Sequence, residues 1–359
     1  MPLTFRENSQ WSIVAPTSMG VRITPANGQP VHCSNTYTMQ ATSAESNVVT
    51  VSASLGLPAK VLTCFVKGSP IARLIKSELR SRNIEAEGSE LAQDGPWGFR
   101  HQFNIADSGF GVRGPIVHND RAGEVGLELD AKDFDLDRLF KREGVRLLHM
   151  SGLIAALSPK SADFCLTLAK EAKKHGTRVS FDMNYRASFW KGREKELRET
   201  FSQIAACCDI LEGNEEDFQL ALGIQGPEHG GKDITAQIEG FKEMIGRVKA
   251  AYPNAQVFGT TLREVVSAFN HTWGCIMLDG DEWVVIEPRD IQVLDRIGGG
   301  DGFVGGMLYG LLMGYDAAKC AKLGWASGAL AVTMLGDYSL PVDEKQLLNI
   351  FEGNARVQR

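Results

Sequence analysis

The chain has 359 residues, of which 43% are hydrophobic and 23% are charged, and its formal net charge at pH 7 is −6. This composition is typical of a globular protein with room for one large α/β domain or two smaller ones. The negative charge argues against nucleic acid as a partner, and it requires local basic residues to hold any anionic ligand.

The N-terminal segment, the apolar runs and the cysteine spacing indicate where in the cell the protein is expected. The N-terminus lacks the basic and apolar segments of a signal peptide, and no apolar run approaches the ~20 residues that span a bilayer. The seven cysteines are scattered and form no C-x-x-C pair, which favours reduced thiols over disulfides or a zinc site. We therefore expect a cytoplasmic protein with no membrane partner.

Short β-branched runs alternate with helical patterns along most of the chain. The predicted elements, in chain order, are a strand at 59–66, a helix within 69–84, a strand at 144–150, a helix near 160–175, a strand at 177–184, a helix at 193–208, and strands at 209–214, 255–261 and 282–288. This alternation predicts an α/β fold with a doubly wound, mostly parallel sheet flanked by helices. Ligands of such sheets bind outside the carboxyl ends of the strands.

Two segments break this rhythm. Residues 17–45 are rich in Thr, Ser, Asn, Gly and Pro, and residues 95–125 mix aromatic, glycine and basic residues without a helical period. We predict a single domain over 1–359 in which these segments form a small β lid, with ordinary surface loops as the alternative.

Two glycine-rich stretches resemble nucleotide motifs but lack their context. Gly300, Gly302 and Gly305 match G-x-G-x-x-G, yet no strand lies directly before them and the next acid, Asp316, comes too early for a ribose contact. The stretch 226–233 matches G-x-x-x-x-G-K but lacks the Ser or Thr that binds Mg²⁺ in a P-loop. A nicotinamide-dependent oxidoreductase is therefore a weaker hypothesis, and we interpret the stretch 226–233 as a surface loop.

The stretch "DRIGGGDGFVGG" (295–306) places three glycines and an aspartate at the predicted start of a helix. The exposed N–H groups of a helix N-terminus bind anions, and Gly298, Gly299 and Gly300 let a phosphate approach them closely. Asp301 is then placed to accept a proton from a hydroxyl that attacks that phosphate, which suits phosphoryl transfer. The alternative is a glycine-rich helix start in which Asp301 is only a capping residue.

The same stretch resembles the C-terminal signature of the ribokinase-like (phosphofructokinase B type) carbohydrate kinases, D-T-x-G-A-G-D-x-F-x-x-G. The matching residues are Asp295, Gly298, Gly300, Asp301, Phe303 and Gly306. Arg296 stands where threonine is usual, and Gly299 stands where alanine is usual. The resemblance implies a ribokinase-like fold, Asp301 as the catalytic base, and an anion hole of backbone amides in which Gly298 and Gly300 also contact the nucleotide.

Two further segments are similar to parts of that family that bind sugar and metal. "SAESNVVTVSASLG" (43–56) resembles the G-G-A-E-A-N-V-A segment, which implies sugar contacts from Ser43 and Asn47. "NEED" (214–217) resembles N-x-x-E, which implies that Asn214 contacts the nucleotide and that Asn214 and Asp217 hold Mg²⁺ through water.

A third segment, "TTLREVVSA" (260–268), occupies the place of the family's T-L-G-x-x-G nucleotide loop but is poor in glycine. The resemblance implies nucleotide contacts from Thr261 and Arg263.

The run "DMNYRASFW" (182–190) resembles the D-x-N-Y-R-x-x-L-W run of the 2-keto-3-deoxygluconate kinases, which assigns Asn184 and Arg186 to the substrate. The position of Arg186 agrees with this assignment, because it follows the carboxyl end of a predicted strand. A guanidinium at that place can bind a carboxylate through two N–H groups, which a neutral hexose does not require.

Two shorter segments complete the implied sugar site. "HNDRAGE" (118–124) resembles the Y-D-R-A-x-S lid segment and places Arg121 as a second cation over the substrate, and "LGDYSLP" (335–341) implies a substrate contact from Asp337. Taken alone, each arginine is more often a surface residue than a ligand.

The N-terminal sugar motif departs from the family pattern. Thr17 and Ser18 stand where the family has glycine followed by an acid that binds sugar hydroxyls, and Thr42 and Ser43 replace a Gly-Gly pair. We expect an ATP- and Mg²⁺-dependent sugar-acid kinase that acts on the terminal hydroxyl of 2-keto-3-deoxygluconate and forms a homo-oligomer. A kinase of another sugar in the family is the alternative, and a non-catalytic sugar sensor is the third hypothesis.

Overall fold

The computed structural model describes residues 3–227 and 234–355, so most of the stretch 226–233 lies outside the described residues. The strands are β1 (Trp11–Pro16), β2 (Gly20–Pro25), β3 (Tyr37–Thr42), β4 (Ala59–Val66), β5 (Ile84–Leu91), β6 (Phe103–Asp107), β7 (Ile116–Asp120), β8 (Val145–Ser151), β9 (Arg178–Asp182), β10 (Ile210–Glu212), β11 (Val257–Val265), β12 (Asn270–Asp279) and β13 (Glu282–Gln292). The helices are α1 (Ala44–Ser54), α2 (Pro70–Ser81), α3 (Gly152–Leu157), α4 (Pro159–Lys174), α5 (Ala187–Trp190), α6 (Glu194–Ala205), α7 (Glu215–Leu222), α8 (Ile234–Ala251), α9 (Gly299–Leu312), α10 (Ala317–Ala331) and α11 (Glu344–Phe351). Every strand and helix predicted from the alternating pattern is present, with ends shifted by a few residues.

A nine-stranded sheet in the order β13-β12-β11-β10-β9-β8-β1-β4-β5 forms the centre of the fold. The strands from β11 to β5 in that order are parallel, whereas β12 and β13 are antiparallel additions at one edge. All eight residues of β4 are buried, which explains why its sequence is a continuous run with little polar alternation. The predicted doubly wound α/β fold is confirmed.

Two apolar cores lie on the two faces of this sheet. One contains Phe164 of α4 and Phe201 of α6, and the other contains Val48 of α1 and Phe303 of α9. Helix α2 shows how local sequence sets an element, because Ser69 caps its first turn and Pro70 occupies the first helical position. Helices therefore cover both faces and leave the strand ends free for a site.

A second sheet, called here the small sheet, has the order β3-β2-β6-β7. Its β2–β3 and β6–β7 pairs are antiparallel, and β2 and β6 are parallel. All four strands come from the segments 17–45 and 95–125 that the sequence analysis set apart. The small sheet stands beside the carboxyl ends of the central strands, where a lid would lie.

Two further expectations concern the chain as a whole. All seven cysteines are free thiols, as predicted from their spacing. Across residues 3–227 and 234–355, none of the helices combines the length and apolar character needed to cross a membrane.

Candidate active site

A cleft of about 740 Å³ lies between the carboxyl ends of the central strands and the small sheet. The predicted site residues that line it are Ser43, Asn47, Arg121, Asn184, Arg186, Asn214, Asp217, Thr261, Arg263, Gly298, Gly300, Asp301 and Asp337. Gly299 is the predicted site residue that does not line it. Residues separated by up to about 300 positions in sequence are thus brought to one cavity.

The three glycines at the start of α9 serve different purposes. Gly298 is the N-cap with φ of 83°, and a Cβ there would lie 1.9 Å from the Asp337 carbonyl oxygen. A Cβ on Gly299 would meet Val332 at 2.9 Å, so this residue is small for packing. Gly300 has nothing within 4 Å of a Cβ position and opens the helix N-terminus to the cleft. The first-turn N–H groups are consequently accessible to an anion.

Asp301 lies on the first turn of α9 at the floor of this cleft. Its Oδ2 accepts a hydrogen bond from Asn47 Nδ2 at 2.8 Å. Burial raises the pKa of Asp301 to about 7, and the charge of Asp337 adds to the increase, while the Asn47 hydrogen bond opposes it. A carboxyl group with a pKa near 7 is suited to general-base catalysis at neutral pH.

Helix α1 contributes the two predicted sugar contacts. Ser43 is its N-cap, and the Ser43 side chain accepts from Ser46 N at 3.1 Å. Asn47 lies one turn later and holds Asp301, and its own Oδ1 is buried with no hydrogen-bond partner in the described part of the chain. A buried acceptor without a partner is costly, so a hydroxyl ligand would stabilise it.

Arg186 extends from the turn after β9 into the cleft. Its Nη1 donates to the Tyr185 carbonyl oxygen at 2.7 Å, and no ion pair joins it to a carboxylate among residues 3–227 and 234–355. Asn184 precedes it with φ of 40°, a left-handed conformation that turns the chain sharply at the end of the strand. Arg186 is therefore a cleft cation whose charge is available to a ligand.

Arg121 is placed differently. Both oxygens of Glu124 accept from Arg121 Nη1, at 2.8 and 2.9 Å. The guanidinium also lies 5.1 Å from the ring centroid of Phe189. Arg121 faces the cleft as predicted, but its charge is balanced by a neighbouring carboxylate.

Arg263 and Arg296 form a cationic pair near the anion hole. Burial lowers the pKa of Arg263 to about 10, and the positive charges of Arg296 and Arg186 add to the decrease. Thr261 lies beside them, and the segment around it continues strand β11 to Val265 rather than forming a glycine loop. The two arginines occupy family positions that normally hold glycine and threonine, so their side chains add cationic donors at this place.

Asn214 and Asp217 close a capping box at the start of α7. Asn214 Oδ1 accepts from Asp217 N at 2.9 Å, and Asp217 Oδ2 accepts from Asn214 N at 2.8 Å. Asp217 Oδ1 accepts from Tyr185 N at 2.8 Å, and burial raises the pKa of Asp217. Because these oxygens already hold backbone N–H groups, they fit hydrogen bonds from metal-bound water better than direct ligation of Mg²⁺.

The same question of direct metal ligands can be asked of the rest of the described chain. Within the described ranges, no group of three or more His, Cys, Asp or Glu side chains is arranged to hold a metal ion. A Mg²⁺ ion at this site would therefore depend on nucleotide phosphates and water for most of its coordination.

Asp337 belongs to a buried network that the sequence analysis missed. Arg22 of β2 pairs with both Asp337 and Asp295, and all three are almost fully buried. Thr42 Oγ1 donates to Asp337 Oδ2 at 2.6 Å. This network ties the small sheet to the turn that forms the anion hole. Arg22 gave no signal because its partners lie 273 and 315 residues away.

Three other carboxyl groups that the sequence analysis did not assign to the site line the cleft. Burial raises the pKa of Glu212 to about 8, and burial with the charges of Asp217 and Glu212 raises the pKa of Asp182. Glu45 accepts from Thr17 Oγ1 at 2.7 Å and from Ser151, and burial raises its pKa as well. Burial in the cleft thus raises the pKa of each of these three carboxyl groups.

The G-x-G-x-x-G interpretation loses its structural basis. Gly302 and Gly305 lie inside α9, where a Cβ would approach the Ser327 carbonyl oxygen to 2.8 Å and Val51 Cγ2 to 2.6 Å. Both glycines allow close packing of helices and are turned away from the cleft. A dinucleotide cannot contact their backbone as that motif requires.

Comparison with known proteins agrees with this geometry. The model of the pfkB family carbohydrate kinases matches residues 22–344, which is most of the chain. The chain belongs to the pfkB family. The resemblance that the signature stretch indicated is therefore confirmed.

Three known proteins to which this chain is similar are named as sugar-acid kinases. The pfkB chain is similar to the crystal structure of 2-dehydro-3-deoxygluconokinase from Thermotoga maritima, with a TM-score of 0.86, 26% identity, and coverage of 96% of this chain and 100% of that one. It is 29% identical over 212 residues to a 5-dehydro-2-deoxygluconokinase from Clostridium tetani, covering 59% of this chain and 56% of the relative. It is 23% identical over 341 residues to a 2-dehydro-3-deoxygalactonokinase from Haloferax volcanii, covering 94% and 96%. The chain thus spans little more than half the length of the Clostridium tetani relative.

Proposed function

We propose that this pfkB chain is a sugar-acid kinase that transfers the γ-phosphoryl group of ATP to the terminal hydroxyl of 2-keto-3-deoxygluconate or a closely related keto-deoxy acid. The observation that carries the proposal is Asp301, a half-buried carboxyl with a pKa near 7 beside the open helix N-terminus at Gly300. The three relatives described above are named as kinases of dehydro-deoxy sugar acids, and these names support the substrate class.

The proposed reaction assigns one task to each part of the cleft. Asp301 accepts the proton of the sugar hydroxyl while that oxygen forms a bond to the γ-phosphorus, and the bond from this phosphorus to the oxygen of the leaving ADP breaks. The first-turn N–H groups of α9 stabilise the charge on the transferred oxygens. Asn47 orients Asp301 and offers its free Oδ1 to a sugar hydroxyl.

The charges of the cleft divide between the two substrates. Arg186, which has no carboxylate partner in the described part of the chain, binds the carboxylate of the sugar acid. Arg263 and Arg296 bind the nucleotide phosphates through side chains, in place of the backbone amides of a glycine loop. Asn214 and Asp217 would hold water molecules of Mg²⁺, which when bound neutralises charge on the phosphates.

A ligand panel and an activity assay test the proposal together. ATP and sugar acids should raise the thermal midpoint of the purified chain, and NADH should not, since a ligand that binds only the folded state stabilises it. ADP release should then be measured with 2-keto-3-deoxygluconate, 5-keto-2-deoxygluconate, 2-keto-3-deoxygalactonate and neutral hexoses. Stabilisation by sugars without ADP release would favour a sensor, and stabilisation by NADH would favour an oxidoreductase.

A homo-oligomer is part of the same proposal. The small sheet exposes Met39 and Ile116, with 45 and 63% of their surfaces accessible, on the same face. Burial of apolar side chains on a sheet face favours association of two copies. Light scattering after size exclusion should give a mass of at least twice 39.2 kDa.

A further inference from the structure

Three side chains beside the cleft form a continuous hydrogen-bonded chain. Ser18 Oγ donates to Glu124 Oε1, and Arg121 Nη1 donates to both oxygens of Glu124. Ser18 and Arg121 line the cleft, whereas Glu124 lies behind them with no accessible surface. We call this set the Ser18–Glu124–Arg121 relay.

The residue types in this relay are exchanged relative to the family pattern. The pattern has an acid at the position of Ser18 and a serine at the position of Glu124, whereas this chain has the reverse. The two departures lie 106 residues apart in sequence, yet the structure brings their side chains into direct contact. This chain therefore carries the hydroxyl on the cleft wall at Ser18 and the carboxylate behind it at Glu124.

The packing around Ser18 fits the smaller residue. A Cβ on Gly126 would lie 1.9 Å from Ser18 Oγ, so the backbone at Gly126 is in close contact with the Ser18 side chain. Ser18 itself is only 6% exposed. The small side chain at position 18 therefore fits the close approach of the Gly126 backbone.

The exchange also fixes the hydrogen-bonding polarity of the cleft wall. Ser18 gives its single proton to Glu124, so toward the cleft it can only accept. Glu124 offsets the charge of Arg121 and holds one edge of its guanidinium, while Arg121 Nε is buried without a partner among the described residues. Arg121 therefore presents donors of a balanced ion pair, whereas Arg186 forms no ion pair with a carboxylate in the described part of the chain.

We propose that Glu124 is a positioning residue that determines acceptor specificity. Through Arg121 and Ser18 it defines a subsite for a neutral hydroxyl or carbonyl group of the acceptor sugar, with Arg121 donating and Ser18 accepting. The acceptor carboxylate is directed to Arg186 instead. This inference rests on the proposed sugar-acid kinase function and adds to it the division of labour between the two arginines.

A reciprocal exchange of residues tests the inference. Ser18→Glu alone places two carboxyl groups in contact, and Glu124→Ser alone leaves Arg121 without its carboxylate, so each should raise the KM for the acceptor by about 10-fold or more. The double variant restores one carboxylate and one hydroxyl, and its acceptor KM should fall below that of the worse single variant. The KM for ATP should stay unchanged in all three, because the relay does not reach Arg263 or Arg296.

Glu124→Gln provides a second test that preserves shape. The neutral amide can still contact Arg121 and Ser18, so the fold should persist, but the loss of charge should raise the acceptor KM several-fold with kcat little changed. Thermal midpoints of all variants should be measured alongside. An unchanged acceptor KM in Glu124→Gln and Glu124→Ser would overturn the inference. A double variant no better than the worse single variant, or equal effects on kcat and on both KM values, would also overturn it.

The two proposals fail in distinguishable ways. If the wild type phosphorylates no sugar acid, the proposed function is wrong. Calorimetric binding of 2-keto-3-deoxygluconate and of a neutral hexose to the wild type, Glu124→Gln and the double variant would then still decide the role of Glu124. Equal sugar affinity in all three proteins would refute that role.

Discussion

Replacement of Asp301 by asparagine separates catalysis from stability at one residue. The amide keeps the volume of the side chain and can still accept from Asn47, which now donates to Asp301 Oδ2 at 2.8 Å. The variant lacks a base, so kcat should fall by about 10²- to 10⁴-fold, the usual contribution of general-base catalysis. ATP affinity should persist, because the change removes a negative charge near the phosphates.

The stability of the same variant should change in the opposite direction. The pKa of Asp301 rises from 3.8 to about 7 in the folded chain, so the folded state favours the protonated carboxyl. The stability that this group contributes is present in full below its unfolded pKa and is lost as the pH rises through about 7. At 1.36 kcal/mol per pH unit, the charged form at pH 8 costs up to about 4 kcal/mol, which asparagine would recover. We therefore expect a higher thermal midpoint at pH 8 together with the loss of activity.

The pH profile supplies the third readout of this variant. In the wild type, kcat/KM should rise with pH up to about 7 as Asp301 loses its proton, and this limb should be absent from the residual activity of Asp301→Asn. Glu212→Gln is the matched control, because Glu212 has a pKa of about 8 and is already neutral at pH 7. Near-normal turnover in Asp301→Asn, or an equal loss in Glu212→Gln, would refute the assignment of the base.

Three further predictions test other parts of the account. Arg186→Lys keeps the charge but loses the planar two-point contact with a carboxylate. The fall in kcat/KM should correspond to about 1.5–3 kcal/mol for a sugar acid and should be negligible for its neutral analogue. Equal losses for both substrates would make Arg186 a structural residue. Arg263→Ala should raise the KM for ATP about 10-fold at constant acceptor KM, with Arg263→Lys intermediate, and an unchanged ATP KM would exclude Arg263 from the nucleotide site. Gly305→Val forces side-chain atoms against Val51. It should lower the free energy of unfolding, measured by urea titration, by about 1–3 kcal/mol. An unchanged free energy of unfolding would contradict the tight packing of α1 against α9.

The sequence was informative where a local pattern determines the structure. The run at 59–66 coincides with β4, and the glycines with Asp301 mark the start of α9 within one residue. The chemistry of these segments is local, since a buried strand needs continuous apolar residues and a helix N-terminus needs its own amides exposed. For such features the sequence alone was sufficient.

The sequence was uninformative about ion pairs and hydrogen bonds between residues that lie far apart along the chain. In the sequence, Arg22 is a single cation in a predicted strand, and its partners Asp295 and Asp337 become evident only in the structure. Glu124 likewise has no distinguishing sequence feature, and only the structure shows its contacts with Ser18 and Arg121. Hydropathy and spacing describe neighbours along the chain and give no measure of pairing across hundreds of residues. The raised pKa of Asp301 likewise arises from burial in the assembled cleft.

Transfer of radiolabel from [γ-³²P]ATP to 2-keto-3-deoxygluconate tests the central claim most directly. With Mg²⁺ present, the account predicts a labelled sugar acid that carries phosphate on its terminal hydroxyl, formed by the wild type and reduced at least about 100-fold in Asp301→Asn. Label that appears only in inorganic phosphate, or on a neutral hexose in preference to every sugar acid of the panel, would contradict the account.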